Sequence, residues 1–187
     1  MALYNQFSHM PYVPYRVLEY LAENNDIIWK LLKYQTKDAL SKPNLTLDEK
    51  LALIWSGDSD QDKYSVFLTR LIENAILDAK TILKIYKINT IPTDHIKANV
   101  SYEFDILHGS KLAIVEYNGI ICNRADVFET ELLKTLNGVY VGGIGTLQFN
   151  KQKSNWDSSN YNLGDSKTYE GTSLILTTQM GDVKNGC

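Results

Sequence analysis

The sequence predicts an α+β fold: short N-terminal helices, then a β-β-α-β-β run forming a mostly antiparallel sheet with one helix packed across it. Three observations predict this. Before residue 56, apolar side chains recur at three- and four-residue spacing in short segments interrupted by Asn, Ser and Pro. Beyond Thr81 the period drops to two, most clearly in Ala98–Leu107, where Val100, Tyr102, Phe104 and Ile106 alternate with Ser101, Glu103 and Asp105. Between these strands and the C-terminal ones, the stretch Asn123–Asn150 holds one amphipathic helix, an Asn-Gly stop and a strand.

Residues 1–14 are rich in Tyr, Asn, Phe and Pro without periodicity and read as an aromatic arm that docks on something, since so many rings are costly to leave in water. Residues 15–180 read as a single α+β domain, with a helical part at 15–56 and a sheet-plus-helix part at 79–180; residues 181–187 form a tail. A helix is expected over Tyr15–Ala22, with Val17, Leu18 and Leu21 inward, and a second over Asp26–Gln35. In the second, Asp26 caps the start or complements the helix dipole, and Trp29 flanks the apolar stripe. Pro43 breaks the pattern. Thr46 followed by Glu49 is a capping box, opening a third helix to Trp55 with Leu47, Leu51, Ile54 and Trp55 on its apolar side.

Gly57–Lys63 is a polar loop, and Tyr64–Leu68 fits a brief strand or a helical turn equally. Thr81–Ile91 is rich in β-branched residues and ends at Pro92. Asn118-Gly119 marks a hairpin turn within His108–Cys122. Asn123 then suits an N-cap, with Ala125, Phe128, Leu132 and Leu136 forming the stripe of the main helix and Val127 and Leu133 widening it. Val139–Asn150 reads as one strand interrupted by Gly142-Gly143-Ile144-Gly145. Lys151–Ser166 reads as a long polar loop, and Thr168–Met180 as the last strand.

Composition bounds the function. The chain has 187 residues and a net charge of −3, with no long Lys/Arg run, which does not mark a duplex-binding face. Twelve tyrosines against five phenylalanines suit contact surfaces, where an apolar ring with a polar tip is at home, or a core of hydroxylated aromatics. Cys122 and Cys187 form neither a disulfide framework nor a zinc pattern, so reduced thiols are expected. No membrane-spanning run or signal peptide is legible, and a soluble protein made in a cytoplasm is expected.

No constellation carries catalysis. The glycines at 142–145 resemble a phosphate cradle, but a cradle needs a helix start directly after them, and Thr146-Leu147-Gln148-Phe149 is strand-like; a bulge or a close backbone approach is the better reading. Asp58, Asp60 and Asp62 imitate a calcium loop whose sixth and twelfth positions should be Gly and Glu; Lys63 and Thr69 stand there, so a solvated acidic loop is expected. His9, His95 and His108 have no ligand-spaced neighbours. Asp105 and Glu116 on neighbouring β segments suggest a metal-dependent nuclease, yet Asn118 stands where such a site wants Lys, and alternation places Asp105 on a solvated face. No catalytic, cofactor-binding or metal-binding residue is therefore assigned.

The run PYRVLEYLAENNDIIWKLLKYQTKDALSKPNLTLDEKLALIW and the later NRADVFETELLKTLNGVYVGGIGTLQFN resemble head–tail joining proteins of tailed bacteriophages, the tail-terminator-like family. The resemblance spans about residues 12–150 and extends to the last strand. It implies a non-enzymatic virion protein, made in the host cytoplasm, that forms a homo-oligomeric ring at the neck between portal and tail. Its partners would be other neck, portal and tail proteins, with genomic DNA passing nearby without specific binding and with no membrane involved. It implies no cofactor and no metal. Two other classes remain open from the residues alone: a small phage-encoded metal-dependent nuclease, and a cytosolic adaptor that binds a partner through the aromatic arm.

Overall fold

The computed structural model describes residues 7–70, 72, 80–93, 97–149, 161–162 and 168–181. The architecture is α+β. Three long strands, β2 (Thr81–Pro92), β3 (Lys97–Gly109) and β10 (Thr168–Gly181), form the antiparallel centre of a sheet. Short strands finish it: β1 (Val66–Phe67) pairs parallel to β2, while β8 (Gln148–Phe149) and β9 (Tyr161–Asn162) pair with β10. β10 therefore returns from the end of the chain to lie beside β3. A register shift between Lys87 and Asn89 puts a bulge in β2. Two hairpins stand off the sheet, β4 (Ile114–Tyr117) with β5 (Ile120–Asn123) and β6 (Tyr140–Val141) with β7 (Gly145–Thr146).

The helices are α1 (Val13–Asn24), α2 (Asp26–Lys33), α3 (Leu47–Leu51) and α4 (Arg124–Leu136). The expectation of one helix across the sheet is too small. α1, α2 and α4 share one face of the sheet and one continuous core, in which Val17, Leu18, Leu21, Trp29, Phe128 and Leu132 meet Leu83, Ile85, Phe104, Ile106, Leu174 and Leu176. The apolar stripe of α4 is as its spacing predicts: Ala125, Phe128, Leu132 and Leu136 are buried. Asn123 caps it, its side-chain oxygen accepting from the amides of Ala125 at 2.8 Å and Asp126 at 3.3 Å. Gly138, at φ +75°, turns the chain out of α4 where an L side chain would be strained.

Several expectations are corrected by tertiary contacts. α1 begins at Val13, not Tyr15, because Val13 and Pro14 pack into the core. The arm ahead of it is part of the fold through residues 9–12. Met10 packs against the core, and its carbonyl accepts from the Tyr102 hydroxyl at 3.2 Å. Residues 1–6 of the expected arm lie outside the described residues. Asn25, rather than Asp26, caps α2 by accepting from the Ile28 amide at 3.0 Å. Trp29 does not flank the stripe; it is fully buried at its centre.

α3 keeps its capping box but stops at Leu51, because the chain must turn for Ile54 to bridge to Val66 and for the Trp55 amide to reach the Val66 carbonyl at 2.9 Å. Leu47, expected inward, is exposed, and the buried position belongs to Lys50, which reaches Asp26 Oδ1 and the Ala22 carbonyl, each at 2.6 Å. Val139–Asn150 is not one strand. Positive φ at Gly143 and Gly145 folds it into the β6–β7 hairpin, and only β8 joins the sheet. Residues 151–160 and 163–166 of the expected loop lie outside the described residues, as does the tail beyond Gly181, while Tyr161–Asn162 pairs as a strand.

The second face of the sheet is the largest departure. Ser101 and Asp105 were expected in water, yet Asp105 is 2% exposed and Ser101 is equally buried. In the β2–β3 register Lys84 stands opposite Asp105, and their charged groups meet at 2.7 Å. Tyr86 and Ser173 hydroxyls donate to the same carboxylate at 3.0 and 2.5 Å. Burial pushes the neighbouring Glu103 carboxyl upward, as does the nearby Asp105 charge. Phe67, Ile82, Leu107 and Tyr169 form a smaller apolar cluster on this side, with Trp55, Tyr64 and Ile72 packed against it.

Candidate assembly surface

The β4–β5 hairpin carries the most concentrated exposed apolar surface among the described residues. Its turn follows from sequence: Asn118 at φ +52° and Gly119 at φ +77° supply the two left-handed residues of a two-residue hairpin. The register pairs Val115 with Cys122, Glu116 with Ile121 and Ile114 with Asn123. Alternation then sends Val115 and Cys122 toward the core and Ile114, Glu116 and Ile121 outward. Ile120 at the turn is 66% exposed, Ile121 50% and Ile114 49%. Covering such half-exposed side chains stabilises a contact by about 1 kcal/mol each. Single exposed apolar residues are ordinary, but Ile114 and Ile121 share the outward face, and Ile120, paired with Tyr117 on the other face, adds exposed apolar surface at the turn.

The hairpin is held rigidly. The Arg124 amide donates to the Ala113 carbonyl at 2.8 Å, and the Glu116 amide to the Lys37 carbonyl at 2.9 Å. Tyr117 donates its hydroxyl to Glu131 Oε1 on α4 at 2.8 Å. Burial alone pushes the Glu131 carboxyl up, but donors from Lys134, Tyr117 and Asn25 outweigh it and hold the group below the usual range.

Beneath it, Arg124 is fully buried, with no carboxylate of the described residues within ion-pair distance. Its guanidinium donates to the carbonyls of Leu112 (2.9 Å), Leu31 (3.1 Å), Tyr34 (3.3 Å) and Thr36 (2.6 Å), and to Thr81 Oγ1 (3.3 Å). Three of these acceptors lie at or just past the C-terminal end of α2, the negative end of its dipole. Burial pushes the guanidinium down to about 10, so it is still charged at neutral pH.

His108 is buried beside α4, and a pH dependence of stability is expected from it. Burial pushes its imidazole below the ordinary value; the Gly109 carbonyl and the Glu170 and Asp126 carboxylates pull it upward, and Arg124 adds to the lowering. The unfolded chain therefore binds this proton at higher pH than the folded one. Stability is expected to fall as pH drops through the ordinary histidine range to the lowered folded value, with a slope no steeper than about 1.4 kcal/mol per pH unit. Urea titrations between pH 8 and 5 should show this slope, and His108→Gln should flatten it.

The remaining expected sites are dispersed. Asp105 lies buried on β3, engaged by Lys84, Tyr86 and Ser173, whereas Glu116 is exposed on the separate hairpin. Asp58 accepts from the Asp60 amide and the Tyr64 hydroxyl, Asp60 pairs with Lys63 at 2.9 Å, and Asp62 with Lys80 at 3.3 Å. His9 is exposed and His95 lies outside the described residues. Among the described residues, no three His, Cys, Asp or Glu side chains are placed to hold a metal ion, and no helix is long and apolar enough to cross a membrane.

The strand β7 begins at Gly145 itself, so no helix start meets the glycines. A Cβ there would lie 3.0 Å from the Thr178 side-chain Oγ1 and 3.4 Å from the Gln179 carbonyl oxygen, so the tighter neighbour is a side chain rather than the backbone that was expected. The isoleucines were missed at the sequence level, though the alternation about Asn118-Gly119 already sorts Ile114 and Ile121 onto one side. Arg124 also left a signal, since a cation in the first turn of a helix is disfavoured unless something else holds it.

A protein-family model described as YomW matches residues 25–178. The name is that of a phage-derived Bacillus protein, which points to a phage-associated protein without singling out a neck or tail-terminator role. Comparison with curated proteins gives no match.

Proposed function

The chain belongs to the YomW family, and from that premise we propose that it is a non-enzymatic structural virion protein of a tailed bacteriophage, a ring-forming subunit of the head–tail junction that joins portal and tail. The observation that carries the reading is the rigidly held hairpin with Ile114 and Ile121 exposed on its outward face and Ile120 exposed at its turn, apolar surface of the kind that marks a protein contact. A ring closes through heterologous contacts between unlike surfaces of identical subunits. The net charge of −3 suits a subunit around a DNA passage, because strong phosphate binding would impede transit. Its partners are then further copies of itself and the neck, portal and tail proteins of the particle, and its location is the virion.

The test is mass in solution and in particles. Light scattering and negative-stain microscopy of the purified protein, alone and with candidate neck proteins, are expected to show a ring or incorporation into particles. A protein that stays monomeric and never joins a particle would overturn the reading. Ile120→Asp with Ile121→Asp is expected to leave the circular dichroism spectrum unchanged and reduce assembly at least tenfold, since two apolar contacts worth about 1 kcal/mol each are lost and charges are placed in their stead.

A further inference from the structure

We infer that the β4–β5 hairpin of one copy seats in the groove between α1 and α3 of the next, making the head-to-tail contact of an assembly of this chain. The inference rests on the ring reading above and names the two surfaces that would close it. The groove has a volume of about 350 Å³, room for an isoleucine side chain. Val141 and the half-buried Tyr20 and Leu51 line it, and Leu47, 54% exposed, stands at its edge. Leu47 is the residue that helical spacing placed inward and the fold leaves in water. Such a side chain is covered without cost if a neighbour supplies the apolar surface.

Charge decides the occupant. Glu19 and Glu23 stand at the groove, and Arg16, the one cation among the described residues that line it, lies 3.9 Å from Glu19. The hairpin carries one outward carboxylate, Glu116, but two exposed cations flank it: Lys37, whose carbonyl accepts from the Glu116 amide, and Lys111, in the turn that leads into β4. An apolar knob with basic flanks and an apolar groove with acidic flanks are complementary. They share no residue, so one copy can offer both at once. Two such separate surfaces are what a heterologous contact that propagates from copy to copy requires, and a ladder of multimers rather than a reciprocal dimer is its signature.

The experiment uses the full chain with Cys122→Ser and Cys187→Ser to remove the native thiols. One sample carries Ile120→Cys, a second Leu47→Cys, and a third both. Under mild oxidation, mixing the first two should give a disulfide-linked heterodimer at least tenfold above the yield of Ile120→Cys with Ile91→Cys, an exposed control on β2. The double variant should give a ladder of covalent multimers. Glu19→Lys with Glu23→Lys should suppress the cross-link, and Lys37→Glu with Lys111→Glu on the partner copy should restore it. Cross-linking no better than the control overturns the inference. If microscopy still shows rings in that case, the surfaces are wrong and the ring reading stands. If neither rings nor cross-links form and the protein never joins a particle, both fail.

Discussion

Arg124→Met is expected to destabilise the fold by about 3–5 kcal/mol, because several acceptors lose a charged donor at about 1–3 kcal/mol each. Methionine keeps the apolar stem but donates nothing. The carbonyls of Leu31, Tyr34, Thr36 and Leu112 would lose their shared donor, and a buried acceptor left unsatisfied costs about 1–3 kcal/mol. The loss falls where α2, α4 and the approach to the β4–β5 hairpin converge. Arg124→Lys should recover less than half of it, because one ammonium cannot span acceptors spread around a planar fork. Urea denaturation followed by circular dichroism measures the change, and a melting temperature lower by roughly 6–20 °C is the thermal equivalent for a chain of this size. A loss under 1 kcal/mol would show that water replaces the guanidinium and that the hub is not structural.

Gly171→Ala should be comparably severe, for a reason of space. A Cβ at position 171 would lie 2.1 Å from the Ile106 carbonyl oxygen and 2.8 Å from Leu107 Cδ2. The first obstacle is backbone in the β3–β10 register, where Gly171 faces Leu107, so no rotamer change relieves it. Overpacking usually costs 1–3 kcal/mol and more when backbone must move; a loss of at least about 3 kcal/mol is expected. Gly142→Ala is the control. Its φ is not in the left-handed region and nothing lies within 4 Å of its Cβ, so its stability should change by less than about 0.5 kcal/mol. If the two variants unfold at the same urea concentration, β3 and β10 are not packed as closely as the structure has them.

Local physics made much of this fold legible. The stripe of α4 and its Asn123 cap, the capping box at Thr46 and Glu49, the hairpin at Asn118-Gly119 and the long strands each depend on residues within a few positions of one another. Element boundaries were less legible, because packing rather than propensity sets them: Val13 is helical since it is buried, and α3 stops early since Ile54 must meet Val66. The candidate surface was half legible. Alternation sorts Ile114 and Ile121 to one side of the hairpin, but nothing local says whether that side meets the core or water.

The sequence by itself determined the α+β class and, in outline, short N-terminal helices followed by long strands on either side of one long helix, all of which rest on periodicity and short-range chemistry. Tertiary structure alone decided that Lys84 and Asp105 are a buried pair, that Arg124 ties α2 to α4, and that Leu47 and the hairpin isoleucines are left exposed. The physical reason is the same in each case. Periodicity tells which side chains share a face, but burial and partners depend on what long-range contacts bring against that face.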